Sequence, residues 1–132
     1  PGSGKTHLAL RLQTWLNDCA WYNADAIRKM ANDWDFSDVG RRRQAERMNS
    51  IAMFEGARGR TVICDFVCPT NETRKLFSHE IMIWMNTIEE GRFEDTNKMF
   101  EKPDDATYVV SGFKSDDEIQ LFAEELKKSH GI

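Results

Sequence analysis

Apolar residues recur at helical spacing in two long segments of the chain, and each segment predicts an amphipathic helix. The first segment is residues 6–17, and the second is residues 41–58, which end just before a glycine of the kind that often terminates helices. A third helix is predicted over residues 116–128, where Ser115 and Glu118 have the spacing of a capping box. Two shorter helices are predicted, at residues 26–32 and 69–77.

Four short apolar segments between these helices predict β-strands. The best of them is residues 61–67, a nearly continuous apolar run of the kind found in parallel strands that are covered on both faces. The other three are residues 20–22, 81–85 and 107–110. Helices that alternate with buried strands predict an α/β fold, with a doubly wound parallel sheet flanked by helices. Ligands of such sheets bind at the carboxyl ends of the strands, which here lie near Asp25, Asp65 and Cys68.

The composition is that of an ordinary globular protein, with 132 residues of which 40% are hydrophobic and 30% charged. This length suits a single core, so we predict that residues 1–132 form one domain. The formal net charge of −4 gives no general basic character, which argues against a nucleic-acid partner. No apolar segment has the length of a membrane span, so no membrane partner is expected. The three cysteines lack metal-ligand spacing and predict reduced thiols in a cytoplasmic protein.

The chain opens on Pro-Gly-Ser-Gly-Lys-Thr, and the first predicted helix follows directly. Glycines let successive backbone N–H groups turn towards phosphate oxygens, and the helix adds the positive end of its dipole. The lysine would reach the β- and γ-phosphates and the threonine hydroxyl would bind Mg²⁺, so ATP and Mg²⁺ are the expected cofactors. The predicted nucleotide-binding residues are Gly2, Ser3, Gly4, Lys5 and Thr6, and Lys5 is also expected to be catalytic.

A phosphate-binding loop of this kind normally follows a buried strand. The chain begins inside the motif, at Pro1. We therefore expect an N-terminally truncated domain, whose sheet has a gap in the middle where that strand would lie.

Two acidic residues near strand ends are candidates for the chemistry. Asp25 follows a predicted strand, and its carboxylate could accept the proton of an acceptor hydroxyl or could equally be the N-cap of the next helix. Asp65 interrupts an apolar strand, where its charge needs a partner. Bound Mg²⁺ would be such a partner, and the alternative is a buried carboxylate with hydrogen bonds from the protein.

Arginines cluster near the start of the second long helix, at positions 41–43 and 47. A solvated helix face is one interpretation of this cluster, and an anion-binding site is the other. The pattern alone does not decide between them.

Several segments resemble motifs of the adenylylsulfate (APS) kinase family, in the family's order and over nearly the whole chain. Residues 23–28 are similar to the family's Asp-Gly-Asp-Asn-x-Arg, residues 36–41 to Phe-Ser-x-x-x-Arg, and residues 67–69 to Ile-Ser-Pro. Residues 93–103 resemble Phe-Thr-Gly-Ile-Asp-x-x-Tyr-Glu-x-Pro without a gap. The resemblance implies a P-loop kinase fold and transfer of the γ-phosphoryl group of ATP to the 3′-hydroxyl of APS, which gives PAPS and ADP.

The resemblance also implies a role for each residue of the acceptor site. Asp25 would be the catalytic acidic residue beside the 3′-hydroxyl, and the arginines would contact the phosphosulfate end of APS. The two phenylalanines would enclose its adenine ring. The substrate-binding residues would be Arg28, Phe36, Arg41, Gln44, Val67 and Phe93. The predicted metal ligands, Thr6 and Asp65, rest instead on the phosphate-loop motif and on the charge inside an apolar strand.

The chain departs from the family pattern at several positions. Asn23 and Ala26 replace the first Asp and the Asn of the first motif, Gln44 replaces an Asn, and Cys68 replaces the Ser of Ser-Pro. The segment at residues 86–92 is shorter than the family's lid, which carries cations over the ATP phosphates and excludes water. The cations considered as replacements are Arg74, Arg92 and Lys98.

Two other functions therefore stay open. One is a P-loop kinase that acts on another acceptor, such as a polynucleotide 5′-hydroxyl or a small metabolite. The other is a nucleotide-binding module with little turnover, which would bind ATP without releasing ADP. A homodimer is also left open.

Overall fold

The computed structural model of the protein describes residues 4–86, 100–103, 105–113 and 115–132. The helices of this part are α1 (Lys5–Trp15), α2 (Ala24–Ala31), α3 (Asp38–Gly56), α4 (Asn71–Lys75) and α5 (Asp116–His130). Its strands are β1 (Cys19–Asn23), β2 (Thr61–Asp65), β3 (Ile83–Met85) and β4 (Tyr108–Val110). Parallel strands flanked by helices confirm the predicted α/β class. None of the described helices has both the length and the apolar character needed to cross a membrane.

The strands form two parallel pairs. β1 lies beside β2, in a register that runs from Cys19 opposite Thr61 to Asn23 opposite Asp65. β3 pairs with β4 in the same parallel sense. The sequence predicts a sheet with a central gap, and within the described residues no strand joins β2 to β3. The carboxyl ends of β1 and β2 therefore lie side by side, which places the residues that follow them at one edge.

Three of the four strands are shorter than the sequence predicts, whereas β1 is longer than the predicted residues 20–22. β2 ends at Asp65 rather than at residue 67, because its partner β1 ends at Asn23 and no further ladder from β1 can hold the chain in the sheet. Residues 61–64 are half-buried rather than fully buried, since β2 has a described neighbour on one edge only. β3 and β4 begin at Ile83 and Tyr108, also later than predicted.

The apolar face of α1 packs against α5 and against both pairs of strands. Ile63 of β2, with Ile83 and Met85 of β3, packs on the cluster that this face forms. Fully burying a leucine or isoleucine side chain typically contributes about 1.5–3 kcal/mol. Because β2 and β3 both pack on this cluster, it joins the two sheets into one core. The buried residues of the cluster are Leu8, Leu12, Leu16, Cys19, Ile119, Ala123 and Leu126.

α3 packs on β2 and begins earlier than predicted. The Gly40 N–H donates to Ser37 Oγ at 3.2 Å, so Ser37 is the N-cap and the helix starts at Asp38 rather than at residue 41. The apolar spacing of the sequence predicts that Ala45, Met48, Ile51 and Ala52 lie on the inner face of this helix, but Ile51 is only half-buried. The rest of that face is confirmed by the burial of Ala45, Met48 and Ala52.

We expect Met48→Ala to lower the free energy of unfolding by about 2–5 kcal/mol, because Met48 is 0% exposed and its loss would leave a cavity. Met53 lies on the same helix but is 62% exposed, so Met53→Ala should change stability by less than about 0.5 kcal/mol. Urea unfolding followed by circular dichroism measures both values. Equal losses in the two variants would contradict this assignment of the core.

Candidate active site

The start of α1 has the geometry of an anion-binding helix terminus. Gly4 is the N-cap, with a φ of 88°, a left-handed conformation that glycine adopts without the penalty of a β-carbon. The Leu8 N–H donates to the Gly4 carbonyl at 3.0 Å, which closes the first turn. Lys5 and Thr6 lie in that turn. Because the first N–H groups of a helix have no acceptor within it and carry the positive end of its dipole, this turn suits phosphate oxygens.

Thr6, Asp65 and Asn23 form a hydrogen-bonded group at the carboxyl ends of β1 and β2. Thr6 Oγ1 donates to Asp65 Oδ2 at 2.8 Å, and Asn23 Nδ2 donates to the same carboxylate oxygen at 3.2 Å. Asn23 Nδ2 also donates to Thr6 Oγ1, at 3.4 Å. Asp65 is 5% exposed. The strand register that sets Asn23 opposite Asp65 brings these side chains together beside the first turn of α1.

The oxygen atoms of this group suit a magnesium ion. Mg²⁺ is usually held by one or two protein oxygens of carboxylates or hydroxyls, while substrate phosphates and waters complete its octahedron. No three His, Cys, Asp or Glu side chains are grouped as a metal site in the described part of the chain. The bonds from Thr6 and Asn23 also satisfy the alternative expectation for Asp65, a buried carboxylate with protein partners.

Asn23 also links this group to α2. Its Oδ1 accepts from the Ala26 N–H at 2.9 Å, which makes Asn23 the N-cap of α2. The alternative role of Asp25 as the N-cap is therefore wrong, and Asp25 lies instead in the first turn, where the helix dipole stabilises a carboxylate. The sequence shows Asn23 only as a departure from the family motif, although an Asn directly before a predicted helix is itself a capping signal.

Replacing Asn23 by Asp would keep a cap acceptor but put a second carboxylate where Nδ2 now lies 3.2 Å from Asp65. Without Mg²⁺ we expect a loss of about 1–3 kcal/mol in unfolding free energy, because Asp65 loses a donor and gains a like charge. Mg²⁺ should reverse part of this loss and raise the Tm of Asn23→Asp more than that of Asn23→Ser, a variant that keeps the cap without the charge. Thermal unfolding with and without Mg²⁺ measures this difference. Equal responses of the two variants would contradict a metal site at Asp65.

A pocket lies between the start of α2, α3 and the turn after β2. It brings together predicted acceptor-site residues from four separate segments of the chain. Asp25 is exposed there, in the first turn of α2, whereas the side chains from α3 are buried. The predicted site residues that line the pocket are Asp25, Arg28, Phe36, Arg41, Gln44 and Val67.

Two arginines hold Phe36 in the wall of this pocket. The guanidinium carbon of Arg28 lies 4.5 Å from the centre of the Phe36 ring, and that of Arg41 lies 5.3 Å from it. Arg41 Nε donates to the Phe36 carbonyl at 2.8 Å. Burial lowers the pKa of Arg28, which is 5% exposed, yet a guanidinium stays charged at neutral pH. Positive charge beside an aromatic ring suits an anionic nucleotide.

Gln44 and the turn after β2 complete the described wall. Gln44 Nε2 donates to the Ala24 carbonyl at 3.0 Å, so its amide holds α3 against the start of α2. Cys68, next to Val67 in the turn, has a φ of 42°, which is strained for a residue with a β-carbon and is common at functional sites. Burial raises the pKa of the Cys68 thiol, so it stays protonated at neutral pH and is a small neutral group rather than a nucleophile.

Several predicted residues cannot be placed. Gly2, Ser3 and Phe93 lie outside the described residues, and so do two of the cations considered for the lid, Arg92 and Lys98. The remainder of the phosphate-binding loop and the second ring at the adenine therefore stay predictions.

Arg74, the third cation considered for the lid, joins two segments of the protein. Its guanidinium donates to Asn71 Oδ1 at 2.9 Å, to the Pro69 carbonyl at 3.2 Å and to the Glu101 carbonyl. It also lies over the ring of Phe100, with 5.3 Å to the centroid. These contacts fasten residues 100–103 to the turn after β2, and a role of Arg74 in place of the lid stays a prediction.

The sequence profile of the adenylylsulphate kinase family matches residues 1–110. The match includes every residue of the site described above. This chain belongs to the APS kinase family. α5 follows the matched segment, and no curated protein matches the chain at a significant level.

Solved structures, among them an APS kinase, have the same fold as this family member. The Mycobacterium tuberculosis APS kinase CysC, in complex with AMPPNP and APS, is similar with a TM-score of 0.77 and 18% identity, over 96% of this chain and 90% of that one. A cysteine mutant of the same enzyme gives a TM-score of 0.76, also at 18% identity, over 96% and 90% of the two chains. The structure named APE1195 gives 0.75 and 21% identity, over 98% and 91%. These likenesses confirm the predicted P-loop kinase fold.

Proposed function

We propose that this APS kinase family member transfers the γ-phosphoryl group of ATP to the 3′-hydroxyl of APS, giving PAPS and ADP. The observation that carries the proposal is the group formed by Asn23, Thr6 and Asp65. Through Asn23 it ties the phosphate-binding start of α1 to the start of α2, where Asp25 lies in the acceptor pocket. These hydrogen bonds therefore link the proposed donor site to the helix start that carries Asp25.

On the donor side, the first turn of α1 and the Lys5 ammonium would bind the β- and γ-phosphates. Thr6 and Asp65 would hold Mg²⁺, which would supply positive charge to the phosphate oxygens. Gly2, Ser3 and Gly4 would complete the loop around them. Catalysis on this side would rest on positive groups that are in place before the reaction. They would stabilise the negative charge that develops on the leaving ADP in the transition state.

On the acceptor side, Asp25 would orient the 3′-hydroxyl of APS and accept its proton. As the bond between O3′ and the γ-phosphorus forms, the bond from that phosphorus to the β,γ-bridging oxygen breaks, and its electron pair leaves with ADP. Positive side chains would bind the phosphosulfate and aromatic rings the adenine. The residues proposed for this binding are Arg28, Arg41, Phe36, Phe93, Gln44 and Val67.

The charges of the pocket favour a small anionic acceptor over a polynucleotide end. Arg28 and Arg41 are both less than 10% exposed and bind Phe36 and its loop, so they offer charge within a pocket. A polynucleotide is usually bound by exposed cations spaced along its backbone, and the protein carries a net charge of −4. We propose sulfate assimilation in the cytoplasm as the setting of the reaction, and a homodimer stays a prediction.

A product assay tests the proposal. The purified protein is incubated with Mg-ATP and APS, with Mg-ATP alone and with Mg-ATP and a 5′-hydroxyl oligonucleotide, and the products are separated by anion-exchange chromatography. PAPS and ADP in equal amounts, formed only with APS, would support it. ADP that appears only with another acceptor would identify a different P-loop kinase. ATP binding without acceptor-dependent ADP would identify a nucleotide-binding module.

A further inference from the structure

Asp33, in the loop between α2 and α3, binds two arginines of α3 at once. Asp33 Oδ2 accepts from Arg43 Nε at 2.7 Å and from Arg47 Nη2 at 2.8 Å, and Asp33 Oδ1 accepts from Arg43 Nη2 at 3.1 Å. The Asp33 side chain is 12% exposed, against 45% for Arg43 and 26% for Arg47. The carboxylate is therefore the enclosed centre of this ion-pair cluster.

The same loop is fastened to the acceptor pocket through Arg28. Arg28 Nη1 donates to the Asp33 and Asp35 carbonyls at 2.9 and 3.2 Å, and lies 4.0 Å from Asp33 Oδ1. The Asp35 N–H donates to Asp33 Oδ1 at 3.2 Å. Phe36 is the next residue, and its ring lies under the Arg28 guanidinium. The Asp33 carboxylate thus fixes both the backbone that carries Phe36 and the cation that lies against its ring.

A second path leads from Asp33 to the start of α2. Arg47, which donates to Asp33, also donates from Nη1 to Gln44 Oε1 at 2.7 Å. Gln44 Nε2 in turn donates to the Ala24 carbonyl at 3.0 Å. Ala24 directly precedes Asp25, so this path ends beside the proposed proton acceptor.

The loop between α2 and α3 lies so close to α3 that position 40 has no room for a side chain. A β-carbon on Gly40 would lie 2.1 Å from the Asp35 carbonyl oxygen, far inside contact distance. The ion pairs of Asp33 are made to α3 one and two turns further on, and they hold the loop at this approach.

We propose that Asp33 is the positioning residue of the acceptor site, which sets the affinity for APS by holding Arg28, Phe36 and Gln44 in place. The identity of the acceptor rests on the function proposed above, and the positioning rests on the contacts of Asp33. Asp33 acts through other residues and is not itself a contact of the substrate. Without its charge, the buried Arg28 guanidinium loses a compensating carboxylate, and loss of one partner of a buried ion pair is costly.

The ion pairs of Asp33 persist at neutral pH. Hydrogen bonds from Arg43 and Arg47 hold the pKa of the Asp33 carboxyl well below its usual range. Its folded-state pKa is depressed, so the stability it contributes is present above the ordinary pKa of an aspartate and is lost as the pH falls towards the folded-state value. Experiments near pH 7 therefore compare the fully ionised cluster with its variants.

The test compares Asp33→Asn with wild type in binding and in local exchange. APS binding is measured by titration calorimetry in the presence of Mg-ADP, so that no phosphoryl transfer occurs, and ATP binding is measured separately. We expect the dissociation constant for APS to rise about tenfold or more, the size expected for a lost charged hydrogen bond. The constant for ATP should change by less than about twofold. Hydrogen exchange of the Asp35 amide, which donates to Asp33, should become faster.

Two further variants keep the test decisive. Asp116→Asn makes the same chemical change in an exposed pair, Asp116 with Arg11 at 3.2 Å, and should leave APS binding unchanged. Arg43→Gln removes two of the hydrogen bonds to Asp33 at a half-exposed position. It replaces Asp33→Asn in the binding test if that variant does not fold. It should shift APS affinity in the same direction by a smaller factor.

The outcomes separate this inference from the proposed function. Wild-type affinity for APS in Asp33→Asn and Arg43→Gln would overturn the positioning role while leaving APS as the acceptor. Equal weakening of APS and ATP binding would also overturn it, because a general loss of structure affects both sites. If the wild type binds no APS, the proposed function fails, and the exchange of the Asp35 amide then decides whether Asp33 holds the pocket loop.

Discussion

Replacing Lys5 by methionine is expected to lower kcat by about 10²- to 10³-fold, the usual cost of removing one preorganised group that stabilises charge in a transition state. Lys5 lies in the first turn of α1, directly after the left-handed Gly4. Its ammonium is the charge proposed for the β- and γ-phosphates, and methionine keeps much of the length and apolar stem without that charge. Steady-state assays of ADP and PAPS formation at saturating Mg-ATP measure the effect.

The control for this variant is Lys128→Met, in the last turn of α5, where the side chain is exposed. It makes the same chemical change at a residue outside the proposed site, and we expect kcat to stay within about twofold of wild type because surface substitutions are usually mild. Both variants should keep the circular dichroism spectrum of the wild type. A Lys5→Met variant that retains more than a tenth of the wild-type kcat would remove Lys5 from the catalytic residues.

The start of α1 could be predicted from the sequence because its chemistry is local. Gly4, Lys5 and Thr6 are adjacent in the chain, and the helix that follows is set by apolar spacing alone. Asp65 could also be identified, since a carboxylate inside an apolar strand needs a partner whatever surrounds it. The structure places Asp65 against Thr6, with 2.8 Å between Thr6 Oγ1 and Asp65 Oδ2. This agrees with the prediction, because Asp65 ends β2 and Thr6 lies in the first turn of α1.

Asn23 and Asp33 could not be identified in the same way, because their roles depend on partners far away in sequence. Asn23 reaches Asp65 only through the register of β1 with β2. Asp33 is important because Arg43 and Arg47 on α3 fold back to it over 10 and 14 positions. The pattern of arginines on α3 permits a solvated face or an anion site. In the structure three of them bind carboxylates of the protein itself, Arg43 and Arg47 at Asp33 and Arg42 at Glu72.

The acceptor pocket could be predicted from the sequence only in part. Its lining residues could be predicted one by one from the family resemblance, but not the contacts that orient them. Arg28 was expected as a contact of the phosphosulfate, and the structure shows that one of its nitrogens is also held by two loop carbonyls. A side chain that is fastened in this way is preorganised, which lowers the entropy lost when an anion binds.

The assignment of Asp25 as the catalytic acidic residue gives the second large effect. We expect Asp25→Asn to lower kcat by about 10²- to 10⁴-fold, the range for loss of a positioned acid–base group, which corresponds to about 3–5 kcal/mol in the activation barrier. The amide has nearly the same shape as the carboxylate but cannot accept the 3′-hydroxyl proton. Affinity for APS and for ATP should stay within about threefold of wild type. Single-turnover assays, together with calorimetric binding, separate the two quantities.

Asp117→Asn is the matched control, because Asp117 lies in the first turn of α5 as Asp25 does in α2. Each substitution removes a carboxylate that favours its helix dipole, a contribution of about 0.3–1 kcal/mol to stability, so both variants should lose a similar amount on unfolding. Only Asp25→Asn should lose turnover. If both variants keep their turnover, the Asp25 carboxylate stabilises α2 and nothing more, and the proton acceptor has to be another group. A loss confined to Asp25→Asn, with binding unchanged, separates catalysis from helix stability at this position.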